Sequence, residues 1–415
     1  MGETMFGPYN LYINGEWVRS ASGERYQRTS PSTGEVVADF AKGNQGDARK
    51  AIESARQAFD SGVWSDTSGA QRAAVLHKVA DLLRANAEET ARQEAAQVGI
   101  PYRTIGWLNW YVADVFDYFA GMARHIVGRS ILTSSQSLSF TLRQPIGVVA
   151  VISPWNFPLV LSTWKIASAL AAGCTVLVKP ASYTPITVLE LAKLFEAAGL
   201  PAGAYNVVTG PGNVIGDVIV DSPDVNAIAF TGETVTGKAL MARASKTLKH
   251  VSLELGGKSP MIVHHDANLD RAADAAMEVF YNAGQVCNLP ARLIVHDDVY
   301  QPFMEKFVAR TRALRVGRTF DDDADMGPVV SRGQLETVMG YIETGKKEGA
   351  HVVLGGDQVR GAKHDQGYFV APTIFDEVNR NMTIAKEEIF GPVATAFRYR
   401  DLEEAIDLAN DSPFG

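Results

Sequence analysis

Cysteine is scarce in this 415-residue sequence: there are two, Cys174 and Cys287, far apart along the chain. That scarcity excludes a disulfide-built scaffold and points to a reducing compartment. Long apolar runs are also missing; the longest, residues 146–152, falls well short of the roughly 20 residues needed to span a bilayer. The first ten residues have neither a basic start nor an apolar run, so no secretory signal is expected. Gly2 follows Met1, but Phe6 stands where a myristoylation motif needs Ser or Thr. An excess of basic residues is absent: 39 Lys and Arg against 47 Asp and Glu leave a net charge of −8. This argues against nucleic acid and anionic membranes as partners, and the expectation is a cytoplasmic protein. The eight histidines show no spacing that suggests a zinc site, so no metal is expected.

What is present is an ordinary globular composition, 46% hydrophobic and 21% charged. Chains beyond roughly 250–300 residues tend to divide, so two or three domains are expected. Helical periodicity predicts helices over 47–61, with Ala48, Ile52, Ala55 and Phe59 on one face, over 71–97 as one longer helix, and over 107–124. Residues 128–144 alternate polar and apolar with several Ser and Thr, the pattern of an exposed β-hairpin arm. From Gly147 short apolar runs appear at 147–152, 175–178, 204–208, 227–230 and 261–263, with helical stretches such as 163–172 and 185–198 between most of them. Strand and helix alternating at this spacing indicate a mainly parallel sheet with helices on both faces. A second set after Gly257 has helices over 269–283, 299–313, 333–349 and 402–410, and strand-like segments at 292–296, 352–354, 368–372 and 393–399. The expected fold class is therefore α/β, with two doubly wound, mainly parallel-sheet domains. Residues 1–127 and 145–255 form one, 256–415 the other, and 128–144 an arm.

Two glycine-rich loops invite a nucleotide reading and fit it imperfectly. Gly210-Pro211-Gly212-Asn213-Val214-Ile215-Gly216 places its last glycine one residue late for a dinucleotide fingerprint. Gly232-Glu233-Thr234-Val235-Thr236-Gly237-Lys238 matches most of a phosphate-binding loop, but Ala239 replaces the magnesium-binding hydroxyl and Glu233 is awkward in an anion cradle. A glycine turn that leads a helix N-terminus toward a phosphate survives this test better than a nucleotide triphosphatase.

Of the two thiols, Cys174 opens a buried strand and reads as a small core hydrophobe. Cys287 follows Asn282-Ala283-Gly284-Gln285-Val286 and precedes Asn288 and Pro290, on a loop that can expose a thiol and aim backbone N–H groups at what binds it. Glu254 lies in the apolar stretch Val251-Ser252-Leu253-Glu254-Leu255; burial there would raise its pKa toward the range of a general base, and a paired core carboxylate is the alternative. Asn156, between Pro154 and Pro158 just after a buried strand, is placed to donate to an oxyanion or simply to form a turn.

Taken together, these segments resemble the aldehyde dehydrogenase superfamily. The matching strings are Pro154-Trp155-Asn156-Phe157-Pro158, Val178-Lys179-Pro180-Ala181, Phe230-Thr231-Gly232, Leu253-Glu254-Leu255-Gly256-Gly257-Lys258, Gly284-Gln285-Val286-Cys287 and Glu387-Glu388-Ile389-Phe390-Gly391-Pro392. The resemblance runs from about Tyr12 to the last residue. It implies NAD(P)-dependent oxidation of an aldehyde to a carboxylic acid by way of a cysteine thiohemiacetal, hydride transfer and thioester hydrolysis. Cys287 would be the nucleophile, Asn156 and the Cys287 N–H the oxyanion donors, Glu254 the base that activates water, and Lys165 a neighbour of the water and proton path.

For the cofactor, the resemblance assigns Lys179 to the adenosine ribose and Glu388 to the nicotinamide ribose, with Phe390 nearby. Ile152, Ser153, Trp155, Gly212, Phe230, Gly232, Glu233 and Leu255 would complete the cofactor site. Ser182 stands where many NAD-selective members carry Glu, so NADP as well as NAD should be accepted. Glu233 stands where the family often has Ser facing the pyrophosphate. Phe157, Trp164 and Tyr111 match or neighbour the aldehyde tunnel, which favours an apolar or aromatic aldehyde and leaves cationic amino-aldehydes open. The resemblance also implies a homo-oligomer, dimer or tetramer, built through the 128–144 arm, and a catalytic domain that continues beyond Gly415. An inactive fragment or structural homologue, a CoA-acylating dehydrogenase and a cysteine hydrolase are the competing classes. The Glu254-type base favours hydrolysis over CoA transfer, and the one histidine near a catalytic motif, His250, is expected to point elsewhere than Glu254 on the strand-like segment.

Overall fold

The run Val148–Ile152 is apolar at every position, so neither of its faces suits water and both must be covered. In the computed structural model, which describes residues 4–414, it lies inside a seven-stranded sheet. Expectations attached to Gly2 and Gly415 lie outside the described residues. The strand order is His250–Glu254, Ala227–Thr231, Val148–Ile152, Thr175–Lys179, Tyr205–Val207, Leu11–Ile13 and Glu16–Val18. The first five are parallel, and Leu11–Ile13 pairs antiparallel with both of its neighbours, Tyr205–Val207 and Glu16–Val18. Helices Gln45–Asp60 and Pro158–Ala171 both pack against Val148–Ile152 and Thr175–Lys179, and the buried residues of the first include Ala48, Ile52 and Ala55. Asn44 and Asp47 start that helix with a reciprocal capping box.

A second sheet has five strands in the order Pro260–Val263, Arg292–His296, Val393–Tyr399, Thr373–Asp376 and His351–Leu354, parallel except for the last. Its core includes a stack of Phe280, Phe307 and Phe303, with centroids 5.9 and 6.0 Å apart. The architecture is thus α/β with two mainly parallel sheets. Ser130–Ser134 and Ser137–Phe140 form a separate antiparallel hairpin whose Leu132, Leu138 and Phe140 are exposed.

Contacts divide the chain into two units. Unit 1 holds the larger sheet and unit 2 the smaller. Residues 29–35 and 98–105, grouped with the first domain on sequence grounds, belong to unit 2. Polar contacts too distant in sequence to be read there hold them: Ser32 Oγ lies 2.6 Å from Thr319 Oγ1, and the Tyr102 N–H donates to the Thr319 carbonyl at 2.8 Å.

Three element boundaries differ from expectation for identifiable reasons. The helix expected over 71–97 is two, Gly69–Ala85 and Ala87–Val98, because Asn86 leaves helical geometry and its side chain donates to the Leu82 carbonyl at 2.8 Å. The strand expected at 368–372 is Thr373–Asp376, beginning after Pro372, which has no N–H to offer a ladder. The helix expected over 269–283 is α-helical only over Leu269–Ala276. It then tightens to 3-10 geometry and breaks at Tyr281, which is extended, followed by Asn282 and Ala283 at φ 47° and 53°.

Candidate active site

Four parallel strands of unit 1 end side by side. Ile152 is in register with Lys179 on one side and Phe230 on the other, and Thr231 with Glu254. Strand order reverses between Val148–Ile152 and Ala227–Thr231, the topology that opens a crevice at the carboxyl edge of a parallel sheet. A cleft of about 390 Å³ lies there, lined by Ile152, Ser153, Trp155, Lys179, Gly212, Phe230, Gly232 and Glu233, all expected cofactor residues.

Its chemistry suits a dinucleotide. Helices Gly212–Asp221 and Thr234–Ala244 both begin at the cleft without a side-chain cap, which leaves N–H donors and positive helix ends facing it. Lys179 is buried, and desolvation lowers its pKa to about 8. Ser153 Oγ and Thr231 Oγ1 are buried in the lining with no hydrogen-bond partner among the described residues. Orphaned hydroxyls, uncapped helix ends and an ammonium together fit a ligand rich in phosphate and ribose oxygens. Ser182 acts behind the lining: its hydroxyl donates to the Gly210 carbonyl at 2.8 Å and steadies the turn that precedes Gly212. Gly210 holds φ 141°, and a side chain there would press on the Gly43 backbone. Glu233 is exposed, and its side chain does not cap the helix that it precedes. Sequence reasoning missed Asp217 and Arg243 in this lining; they sit on the helices rather than in the glycine loops that drew attention.

Asn156 is buried in the turn between strand Val148–Ile152 and helix Pro158–Ala171. Phe157, Tyr111 and Trp164 join an aromatic chain completed by Trp107, which the sequence reading overlooked. Trp107 lies 6.0 Å from Phe157 and 5.8 Å from Tyr111, and the Trp164 indole donates to the Tyr111 hydroxyl at 3.2 Å. Lys165 is buried about two turns into the helix and donates to the Leu161 carbonyl at 3.1 Å. The expected burial of Glu254 is not found. His250–Glu254 is an edge strand on which exposed and half-buried residues alternate; Glu254 falls on the exposed side, and so does His250, which was expected to point elsewhere, because residues four apart on a strand share a face.

In unit 2, the backbone break after Tyr281 delivers Cys287 to a turn, half-buried. Gln285, fully buried, fixes that turn by donating to the Asn282 carbonyl at 2.8 Å and accepting the Val330 N–H at 2.8 Å. Glycine lets the chain pack closely around it: a Cβ at Gly257 would collide with the Cys287 carbonyl, and one at Gly284 with the Gly391 backbone. Leu255 is half-buried at the start of this unit. Glu388 rests on the paired glycines, accepting the Gly257 N–H at 3.2 Å, and shares a cavity of about 20 Å³ with Phe390, Gly257 and Lys258. Lys258 is buried with no hydrogen-bond partner for Nζ among the described residues. Desolvation first, then the Arg292 charge, lower its pKa to about 7. Among the described residues one group of metal-capable side chains occurs, His264, His265 and Asp266, where sequence spacing had suggested none.

Comparison with known proteins follows this geometry. The family model described as "Aldehyde dehydrogenase family" matches residues 17–415. Aldehyde dehydrogenase 1 of Tanacetum cinerariifolium is 43% identical over 408 residues, 98% of this chain and 81% of the relative. Aldehyde dehydrogenase family 2 member C4 of Arabidopsis thaliana is 42% identical over 409 residues, with the same coverage of 98% and 81%. Among solved structures, the NAD-dependent aldehyde dehydrogenase from Sinorhizobium meliloti superposes with a TM-score of 0.96 at 39% identity, covering 99% of this chain and 81% of that one. The NAD+ complex of an aldehyde dehydrogenase from Bacillus cereus gives the same TM-score of 0.96 at 41% identity, covering 99% and 83%.

Proposed function

The chain belongs to the aldehyde dehydrogenase family, and from that premise we propose that this aldehyde dehydrogenase works through a covalent thioester on Cys287. The Cys287 thiolate adds to the aldehyde carbon and forms a carbon–sulfur bond, while the carbonyl electron pair moves onto oxygen. The Asn156 amide and the Cys287 N–H donate to that oxyanion; a single such donor can be worth about 2.7–4 kcal/mol. A nicotinamide dinucleotide, when bound, supplies the acceptor for the hydride that departs as the carbonyl reforms. Glu254 then takes a proton from water, which attacks the thioester, and the carbon–sulfur bond breaks to release the acid and the thiolate. Exposure of Glu254 keeps it in contact with the water it must deprotonate.

The observation that supports this most is the Cys287 turn, a half-buried thiol held by a strained backbone and a buried glutamine. Structural cysteines such as Cys174, buried at a strand start, need no such setting. Formation of reduced nicotinamide with a panel of aldehydes tests it. Cys287→Ala should lower the rate by about 10³-fold or more, and Cys174→Ala should leave it unchanged. Activity retained in Cys287→Ala would refute the assignment.

The cofactor is proposed to occupy the unit 1 cleft, with Lys179 and Ser153 on its ribose and phosphate oxygens and the helix ends at Gly212 and Thr234 on the pyrophosphate. NAD is the cofactor named for the similar structures from Sinorhizobium meliloti and Bacillus cereus. Ser182, which is uncharged, extends this to NADP. The Phe157, Trp107, Tyr111 and Trp164 chain favours an apolar or aromatic aldehyde. No described helix is long and apolar enough to cross a membrane, and a cytoplasmic homo-oligomer is proposed, joined through the hairpin at Ser130–Phe140 with its exposed Leu132, Leu138 and Phe140. Light scattering with Leu138→Lys tests the assembly: a smaller species supports it, an unchanged one does not.

A further inference from the structure

Three neighbouring parallel strands of unit 2 end in imidazole or phenol side chains. Pro260–Val263 runs directly into His264 and His265, Arg292–His296 ends on His296, and Val393–Tyr399 ends on Tyr399, which is in register with His296. Sequence spacing hides this, because His296 lies far from the other two until the sheet brings the strand ends together. The ring centroids are 4.2 Å apart for His264 and His265, 5.3 Å for His265 and His296, and 5.8 Å for His264 and His296. Asp266 joins them, with Oδ1 3.2 Å from His264 Nδ1.

The two kinds of histidine differ in what they can still do. His296 Nδ1 accepts the Asp298 N–H at 3.2 Å and caps helix Asp297–Ala313, so a neutral His296 carries its proton on Nε2 and has no lone pair to give. Its ring meets Tyr399 edge-on at 5.1 Å. Among the described residues, the rings of His264 and His265 make no such hydrogen bond to the backbone. One ligand atom from each of His264, His265 and Asp266 lies within 4.8 Å of the other two. Donors about 2.0–2.1 Å from a tetrahedral ion sit roughly 3.4 Å apart, so side-chain rotation alone can close the set.

We propose that His264, His265 and Asp266 form a binding site for a late first-row divalent cation such as Zn²⁺, at the carboxyl edge of the smaller sheet and unconnected with aldehyde chemistry. Two imidazoles and one carboxylate prefer such ions to Mg²⁺ or Ca²⁺, which take oxygen donors. A single protein-bound ion would tie the turn after Pro260–Val263 to itself and stabilise the folded state in proportion to occupancy.

Titration with Co²⁺, followed by its visible absorption, tests this on the whole chain. The expected result is one Co²⁺ per chain with a spectrum of nitrogen and oxygen donors, unchanged in Cys287→Ala. Affinity should fall at least tenfold in His264→Ala and in His265→Ala. His265 is exposed, so its variant should fold normally; Zn²⁺ should raise the melting temperature of the parent and leave that of His265→Ala where it is. Equal affinity in parent and His265→Ala, a thiolate charge-transfer band that disappears in Cys287→Ala, or no saturable binding would each overturn the proposal.

Discussion

The Glu94 carboxylate caps the helix that follows Asn156: it accepts the Leu159 N–H at 3.1 Å, at the first turn of Pro158–Ala171. The same carboxylate accepts from Thr187 Oγ1 at 2.6 Å and from the Gln97 amide at 2.9 Å. Full burial nevertheless raises its pKa from the usual 4.5 to about 7, desolvation outweighing the three hydrogen bonds.

A stability consequence follows with a definite sign. Between about pH 4.5 and 7 the folded chain holds a proton on Glu94 that the unfolded chain has lost. This stabilising contribution is complete below pH 4.5 and disappears as pH rises through 7, a change on the order of 3 kcal/mol. Urea unfolding of Glu94→Gln alongside the parent should show the parent losing ground to the variant from pH 5 to pH 8. Parallel profiles would show that Glu94 does not titrate in this range.

Lys258 should behave in the opposite sense. Its pKa falls from the usual 10.5 to about 7, so between those values the unfolded chain binds the extra proton and stability rises with pH. Lys258→Met, which fills the space without a charge, should be more stable than the parent at pH 6 and lose that advantage toward pH 10. A constant difference in melting temperature across that range would contradict the expectation.

Ser182 is the residue proposed to set the cofactor charge that the cleft tolerates. Ser182→Glu would bring a carboxylate beside the turn that Ser182 now steadies through Gly210. Its kcat/KM ratio for NADP over NAD should fall about tenfold or more, since juxtaposed like charges cost several kcal/mol. An unchanged ratio would place the 2′-phosphate elsewhere.

Gly257 is constrained by its neighbour rather than by its own backbone angles. A methyl group there would strike the Cys287 carbonyl, so Gly257→Ala should cost about 1–3 kcal/mol and also lower kcat by displacing the thiol. Wild-type activity in a stable Gly257→Ala would show that the turn has more room than its geometry indicates.

How much of this was legible in the sequence depended on distance along the chain. Cys287 and Asn156 announced themselves through local signals, a Gly-Gln-Val-Cys turn and flanking prolines, and the parallel strands through unbroken apolar runs. Glu94 was invisible because its partners Leu159 and Thr187 are 65 and 93 residues away, and on a helix it reads as one more solvated acid. Glu254 misled in the other direction: an apolar stretch suggested burial, but position at a sheet edge turned alternate residues outward. His264, His265 and Asp266 are adjacent in the sequence, and only His296 depends on strand order to reach them.

Glu254→Gln offers the most direct test of the thioester route, because it leaves the thiol in place and removes the proposed base. Incubated with an aldehyde and NAD or NADP, it should form about one reduced nicotinamide per chain and then stop. Mass spectrometry should find the acyl group on the peptide that contains Cys287. Full turnover without an adduct, or an adduct on Cys174, would contradict the division of labour between Cys287 and Glu254.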